Sequence, residues 1–108
     1  MSSLIDIRNK IDIIDEDIVK LLTKRTQLVQ DTVKYKETEN DILVNQRTEE
    51  VIIKVRQLAN KNEIPANMVD DAYRIILDYA VELELHKFKN KEVFWFFLIL
   101  RDFILQAI

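Results

Sequence analysis

The 108-residue sequence contains no glycine, no cysteine and a single proline. Tight hairpins, bulges and phosphate-cradling loops usually need residues that tolerate positive φ, so the missing glycine argues for helices. It also excludes the Gly-rich dinucleotide and P-loop fingerprints, whose backbone must come close to a phosphate. Without cysteine there are no disulfides or thiolate metal sites, and one histidine, His86, cannot by itself form a zinc cluster. No metal site is expected. A cationic excess is missing as well: the formal charge is −3, which argues against a nucleic-acid surface. The N-terminus shows no basic segment followed by an apolar run, so no signal peptide is expected and the chain is read as cytoplasmic.

What is present fits a folded, soluble, all-α chain. Hydrophobic residues make up 48% and charged residues 32%, well away from disordered compositions. The length suits one domain over residues 1–108, although a lone subunit of long helices would struggle to cover its apolar surface.

Leu4, Ile7, Ile11, Ile14, Ile18, Leu21 and Leu28 alternate at three and four residues, which predicts one long N-terminal helix to about Lys36. The stretch from Glu37 to Asn45 breaks the pattern, with Asn45 or Thr48 expected to cap a second helix carrying Val51, Ile52, Val55, Leu58 and Ala59. Pro65 suits the first turn of a third helix, whose stripe is Val69, Ala72, Tyr73, Ile76, Tyr79, Ala80 and Leu83. Residues 93–108, including Phe94, Trp95, Phe96 and Phe97, form an apolar segment interrupted by Arg101 and Asp102. That segment is too short and too interrupted for a membrane span of roughly 20 apolar residues. The first reading is a fourth helix or a helix extension covering a hydrophobic surface. The second is docking to a protein partner or a membrane surface.

Several charges occupy positions where the stripes ask for apolar residues. Arg25 stands between Leu21 and Leu28, Arg47 heads the second stripe and Glu84 ends the third. Lys36 follows Arg25 by about three turns on nearly the same face. An unpaired buried charge costs several kcal/mol, so these groups require mutual pairing or a charged ligand. Three cations to one acid favour a small anionic guest. The alternative is a purely structural Arg25–Glu84 ion pair with Lys36 reaching to water. Arg8 would lie roughly 42 Å from Lys36 along a continuous helix, too far to share a small ligand within one chain. If it binds that ligand, it must come from a second subunit with an antiparallel helix.

The series Ile7-Arg8-Asn9-Lys10-Ile11-Asp12, Leu21-Leu22-Thr23-Lys24-Arg25, Val33-Lys34-Tyr35-Lys36 and Gln46-Arg47 resembles the all-helical chorismate mutase family over about residues 4–85. The resemblance implies a three-helix subunit in an intertwined helical homodimer, with 93–108 as an extra apolar C-terminal helical segment. It further implies an enzyme of aromatic amino-acid biosynthesis that needs no cofactor. By position, Arg8 is expected to be the partner-supplied arginine, Arg25 and Arg47 to bind the substrate, and Lys36 to contact a carboxylate and the breaking ether oxygen. Glu84 falls where the family usually has Gln, the second donor to that oxygen.

For chorismate the implied reaction is an intramolecular Claisen rearrangement to prephenate, accelerated by donors aimed at the charge developing on the ether oxygen. Glu84 can donate only while protonated, so higher activity is expected at mildly acidic pH. Two positions depart from the pattern: Thr48 replaces the Glu that helps bind the substrate hydroxyl, and Ala80 replaces a hydroxyl residue. Thr48 can itself hydrogen-bond a hydroxyl. These departures keep open the related isochorismate-pyruvate lyase reaction, giving salicylate and pyruvate. A noncatalytic helical interaction or regulatory module is the remaining alternative.

Overall fold

The computed structural model of the chain describes residues 3–44 and 46–107, without the side chains of 46, 91–98 and 107. The described residues are helical with no strand: α1 spans Leu4–Asp31, a 3₁₀ turn Thr32–Tyr35, α2 Glu39–Leu43, α3 Gln46–Lys61 and α4 Ala66–Ala107. The all-α class and the long N-terminal helix agree with the periodicity of the sequence.

Helix α1 begins at a capping box, in which the Ser3 hydroxyl accepts the Asp6 N–H at 3.1 Å and the Asp6 carboxylate accepts the Ser3 N–H at 3.2 Å. It ends five residues before the expected boundary at Lys36. There the backbone tightens into the 3₁₀ turn, and Lys36 itself is extended, with φ −96° and ψ 131°. The stretch expected to be irregular contains α2, which is capped by Thr38. Asn45 lies outside the described residues, and Thr48 lies inside α3.

In a chain without glycine, the turn between α3 and α4 places Glu63 at φ 58°. The Ile64 N–H reaches the Ala59 carbonyl at 3.1 Å and the Glu63 N–H reaches that of Asn60 at 3.2 Å. This is the hydrogen-bond pattern of a Schellman cap, with a glutamate where glycine is the usual choice. Pro65 precedes α4 instead of lying within its first turn, and its carbonyl accepts the Val69 N–H at 3.4 Å.

The third helix and the apolar tail form one helix of 42 residues, about 63 Å long at 1.5 Å per residue. The longest helix is therefore the last one. Ile99, Phe103, Ile104 and Leu105 near its end are exposed, so within this chain they do not cover a hydrophobic surface. The side chains of Phe94, Trp95, Phe96, Phe97 and Leu98, on which that expectation also rested, lie outside the described residues. Among the described residues no helix is long and apolar enough to cross a membrane.

Packing is concentrated in two apolar clusters along α4. One joins Val51, Ile52 and Val55 of α3 to Leu77. The other joins Val33 of the 3₁₀ turn and Ile42 of α2 to Phe88. The α4 stripe is therefore Val69, Tyr73, Leu77, Val81, Leu85 and Phe88, whereas Tyr79 and Ala72 of the expected stripe are exposed. No side chain of α1 is buried; Leu4, Ile7, Ile11, Ile14, Ile18, Leu21 and Leu28 all face outward. The molecule is correspondingly elongated, 77 × 32 × 15 Å.

Asp70 ties α4 to α3. Arg74 donates to it from Nε at 2.7 Å and Arg56 from a guanidinium nitrogen at 2.8 Å. These hydrogen bonds, Arg74's first and then Arg56's, hold the Asp70 carboxyl below the ordinary aspartate value of 3.8. A lowered folded-state value means that the stabilisation is complete above 3.8 and disappears as pH falls through the folded-state value. Asp70→Asn is therefore expected to lower the midpoint of thermal unfolding at neutral pH, with the difference from the parent shrinking in strong acid. Equal midpoints at neutral pH would refute the role of this link.

Candidate functional site

Between the two apolar clusters lies a cavity of about 540 Å³, within the range of about 300–1,000 Å³ typical of small-ligand sites. Leu28, Ile42, Val51, Leu77 and Val81 supply its apolar wall, and Arg25, Lys36, Arg47 and Glu84 bring charge to it. Residues from separate segments thus meet around one space, as the interrupted stripes predict.

Each arrives by a different route. Arg25 projects from α1 with its guanidinium carbon 5.9 Å from the centre of the Tyr73 ring, within reach of a cation–π contact. Lys36 reaches the cavity from the extended residue after the 3₁₀ turn, and not from the face of a continued α-helix. The chain just beyond it is anchored by the α2 capping box. Asp41 accepts the Glu37 and Thr38 N–H groups, each at 3.0 Å. Those backbone hydrogen bonds, Thr38's first, hold the Asp41 carboxyl below its ordinary value, and the Lys36 charge adds to the effect.

Arg47 stands in the first turn of α3, 71% exposed in its side chain, with Glu50 at 3.4 Å. A pair this open to water holds the guanidinium weakly. Glu84 comes from α4 and is only 9% exposed. Its Oε1 lies 3.1 Å from the Thr32 hydroxyl. Among the described residues no ion pair joins Arg25 to Glu84, so the purely structural pairing considered from the sequence does not form.

Two expected site residues are elsewhere. Arg8 is an exposed residue near the start of α1, about 35 Å along the helix axis from its end at Asp31. Thr48 is half-buried next to Arg47 but does not line the cavity. Ala80 does line it, leaving apolar surface at that point.

Two residues with polar contacts here were not singled out as polar from the sequence. The spacing assigns Tyr73 to an apolar stripe, yet its ring faces Arg25. Thr32 follows Arg25 by seven residues, a spacing that repeats a helix face and was a readable signal. A second concavity of about 580 Å³ lies where Asp31 and Lys34 face His86 and Lys87. Its charged residues are Asp31, Lys34 and Lys87, and it holds no arginine.

This geometry provides several cationic donors and one acid around a partly apolar space, an arrangement able to clamp a small anion and stabilise charge developing within it. The family model described as chorismate mutase type II matches residues 7–85, a range that runs from Arg8 past Glu84. A search of curated proteins finds no match. With the match extending over most of its length, the chain belongs to the chorismate mutase type II family.

Proposed function

We propose that the chain is a chorismate mutase that converts chorismate to prephenate as a homodimer. The observation that carries this reading is the convergence of Arg25, Lys36, Arg47 and Glu84 on one cavity. The rearrangement is intramolecular: one carbon–oxygen bond breaks as one carbon–carbon bond forms, and no group is transferred to the protein. What the site must provide is a folded substrate and donors where charge grows.

Arg25 and Arg47 bind the carboxylates of the dianion. Arg47 exchanges its solvent-exposed partner Glu50 for the ligand. Lys36 donates to a carboxylate and to the ether oxygen, which gains negative charge as its bond to carbon breaks. Glu84, when protonated, supplies a second donor to the same oxygen. Donors aimed at the ether oxygen across a partly apolar cavity favour the transition state over the less polar ground state.

The outward face of α1 supports the homodimer. Its outward apolar seam leaves Leu4, Ile7, Ile11, Ile14, Ile18 and Leu21 about half exposed or more, and burying each side chain would contribute on the order of 1 kcal/mol. An antiparallel partner helix against that seam brings a second Arg8 toward the Lys36 end of the first. Arg8 then completes the anion clamp in trans, as its distance within one chain requires.

A second reaction is favoured by Thr48, which follows Arg47 where a carboxylate would hold the substrate hydroxyl. Elimination of pyruvate from isochorismate to give salicylate also breaks a carbon–oxygen bond, and uses the same cationic pocket. Purified protein incubated separately with chorismate and isochorismate is expected to yield prephenate from the first. Salicylate and pyruvate from the second alone would replace the mutase with a lyase. No product from either would leave a noncatalytic interaction module, with the exposed end of α4 as its docking surface.

Glu84 shares the cavity wall with Arg25, Lys36 and Arg47, and its carboxyl contacts the hydroxyl of Thr32. Glu84→Gln, whose amide donates without a titrating proton, is expected to keep activity, whereas Glu84→Leu, which cannot donate, is expected to lose it. Equal kcat in the two variants would refute this role. Arg8→Ala and Arg25→Ala subunits, each inactive, should regain activity when mixed, since one of the two pockets of the heterodimer is then intact. Absence of recovery despite demonstrated subunit exchange would place Arg8 outside the site.

A further inference from the structure

Arg25 is half-buried at the cavity wall, and among the described residues no carboxylate pairs with it. The hydrogen bonds that arginines donate there come from Arg47, Arg56 and Arg74. Asp70, about one turn before Tyr73 on α4, is engaged elsewhere: one oxygen accepts from Arg74 and the other from Arg56. Glu84 meets the Thr32 hydroxyl. What Arg25 does meet is the Tyr73 ring, whose centre lies 5.9 Å from the guanidinium carbon.

The kind of partner matters for a residue that has to receive an anion. A carboxylate would take N–H donors of the guanidinium, often two at once, and an incoming ligand would have to displace it. An aromatic face attracts the cation through the ring quadrupole and supplies no counter-charge. The N–H donors of Arg25 are then left for a ligand. Tyr73 is itself held in place, because it packs against the cluster of Val51, Ile52, Val55 and Leu77 that joins α3 to α4. A guanidinium carried by α1 is thereby registered on the same packed layer that supplies Val51 and Leu77 to the cavity wall.

We infer that Tyr73 is a positioning residue for Arg25: its ring holds the guanidinium at the cavity without neutralising it, so that a ligand carboxylate meets donors already in place. The inference rests on the reading above, in which Arg25 binds a carboxylate of the substrate. Tyr73 does not line the cavity and acts through Arg25. A carboxylate away from the breaking bond is held alike in the ground state and the transition state, so losing this hold falls on KM and spares kcat.

The test compares Tyr73→Leu, which keeps an apolar side chain and removes the ring, with Tyr73→Phe, which keeps the ring. Tyr73→Met repeats the deletion should the leucine variant fail to fold, with helix content checked by circular dichroism. Steady-state kinetics use whichever of chorismate and isochorismate the parent converts. Tyr73→Leu is expected to raise KM about fivefold with kcat changed less than about twofold, and Tyr73→Phe to stay within about twofold of the parent in both. An unchanged KM in folded Tyr73→Leu or Tyr73→Met, an equal rise in Tyr73→Phe, or a loss confined to kcat, as loosened packing would give, would overturn the assignment while leaving the mutase reading intact. A parent inactive on both substrates would remove the carboxylate-binding role of Arg25, and this inference with it.

Discussion

Cationic side chains repel one another, so Arg25, Lys36 and Arg47 meet only because apolar packing pins the segments that carry them. Val51, Ile52 and Val55 hold α3 on Leu77, while Val33 and Ile42 hold the turn after α1 and the short α2 on Phe88. Both clusters use the same helix, α4, and the cavity lies between them with Leu77 and Ile42 in its wall. The electrostatics of the site are imposed by hydrophobic burial on either side, with Tyr73 providing an aromatic face for the Arg25 guanidinium. An anion entering the cavity would relieve the repulsion that this packing sustains.

The end of α1 matters as much as its length. A helix continued to Lys36 would have presented that lysine as another residue on a face. Instead the 3₁₀ turn tucks Val33 into the core, and the extended backbone at Lys36 redirects the chain into α2. The capping box of Thr38 and Asp41 then fixes the start of α2. Thus a local change of backbone conformation, secured by one buried valine and one cap, determines where the lysine charge is delivered.

Much of this was readable as period and interruption. The three-four spacing of aliphatic residues marked α1, the run around Val55 marked α3, and Arg25, Arg47 and Glu84 stood out because charge broke a stripe. The conversion of α1 into a 3₁₀ turn was hidden, since three-residue and four-residue spacings look alike over one turn. Leu77 and Phe88 were missed because α4 is apolar around much of its circumference, and only the position of α3 and α2 selects one line of contact. Tyr79, equally apolar by composition, is left exposed for the same reason. Arg8 was recognised by its place in a pattern, and the fold of one subunit keeps it remote from the other cations.

The continuity of α4 has a mechanical consequence. From Ala66 to Ala107 it contains neither proline nor glycine, the usual points at which a helix bends. Glu84 and the exposed Phe103 are therefore mounted on one rod, about 28 Å apart along its axis. The exposed far end and the acid thus share one unbroken run of helical backbone.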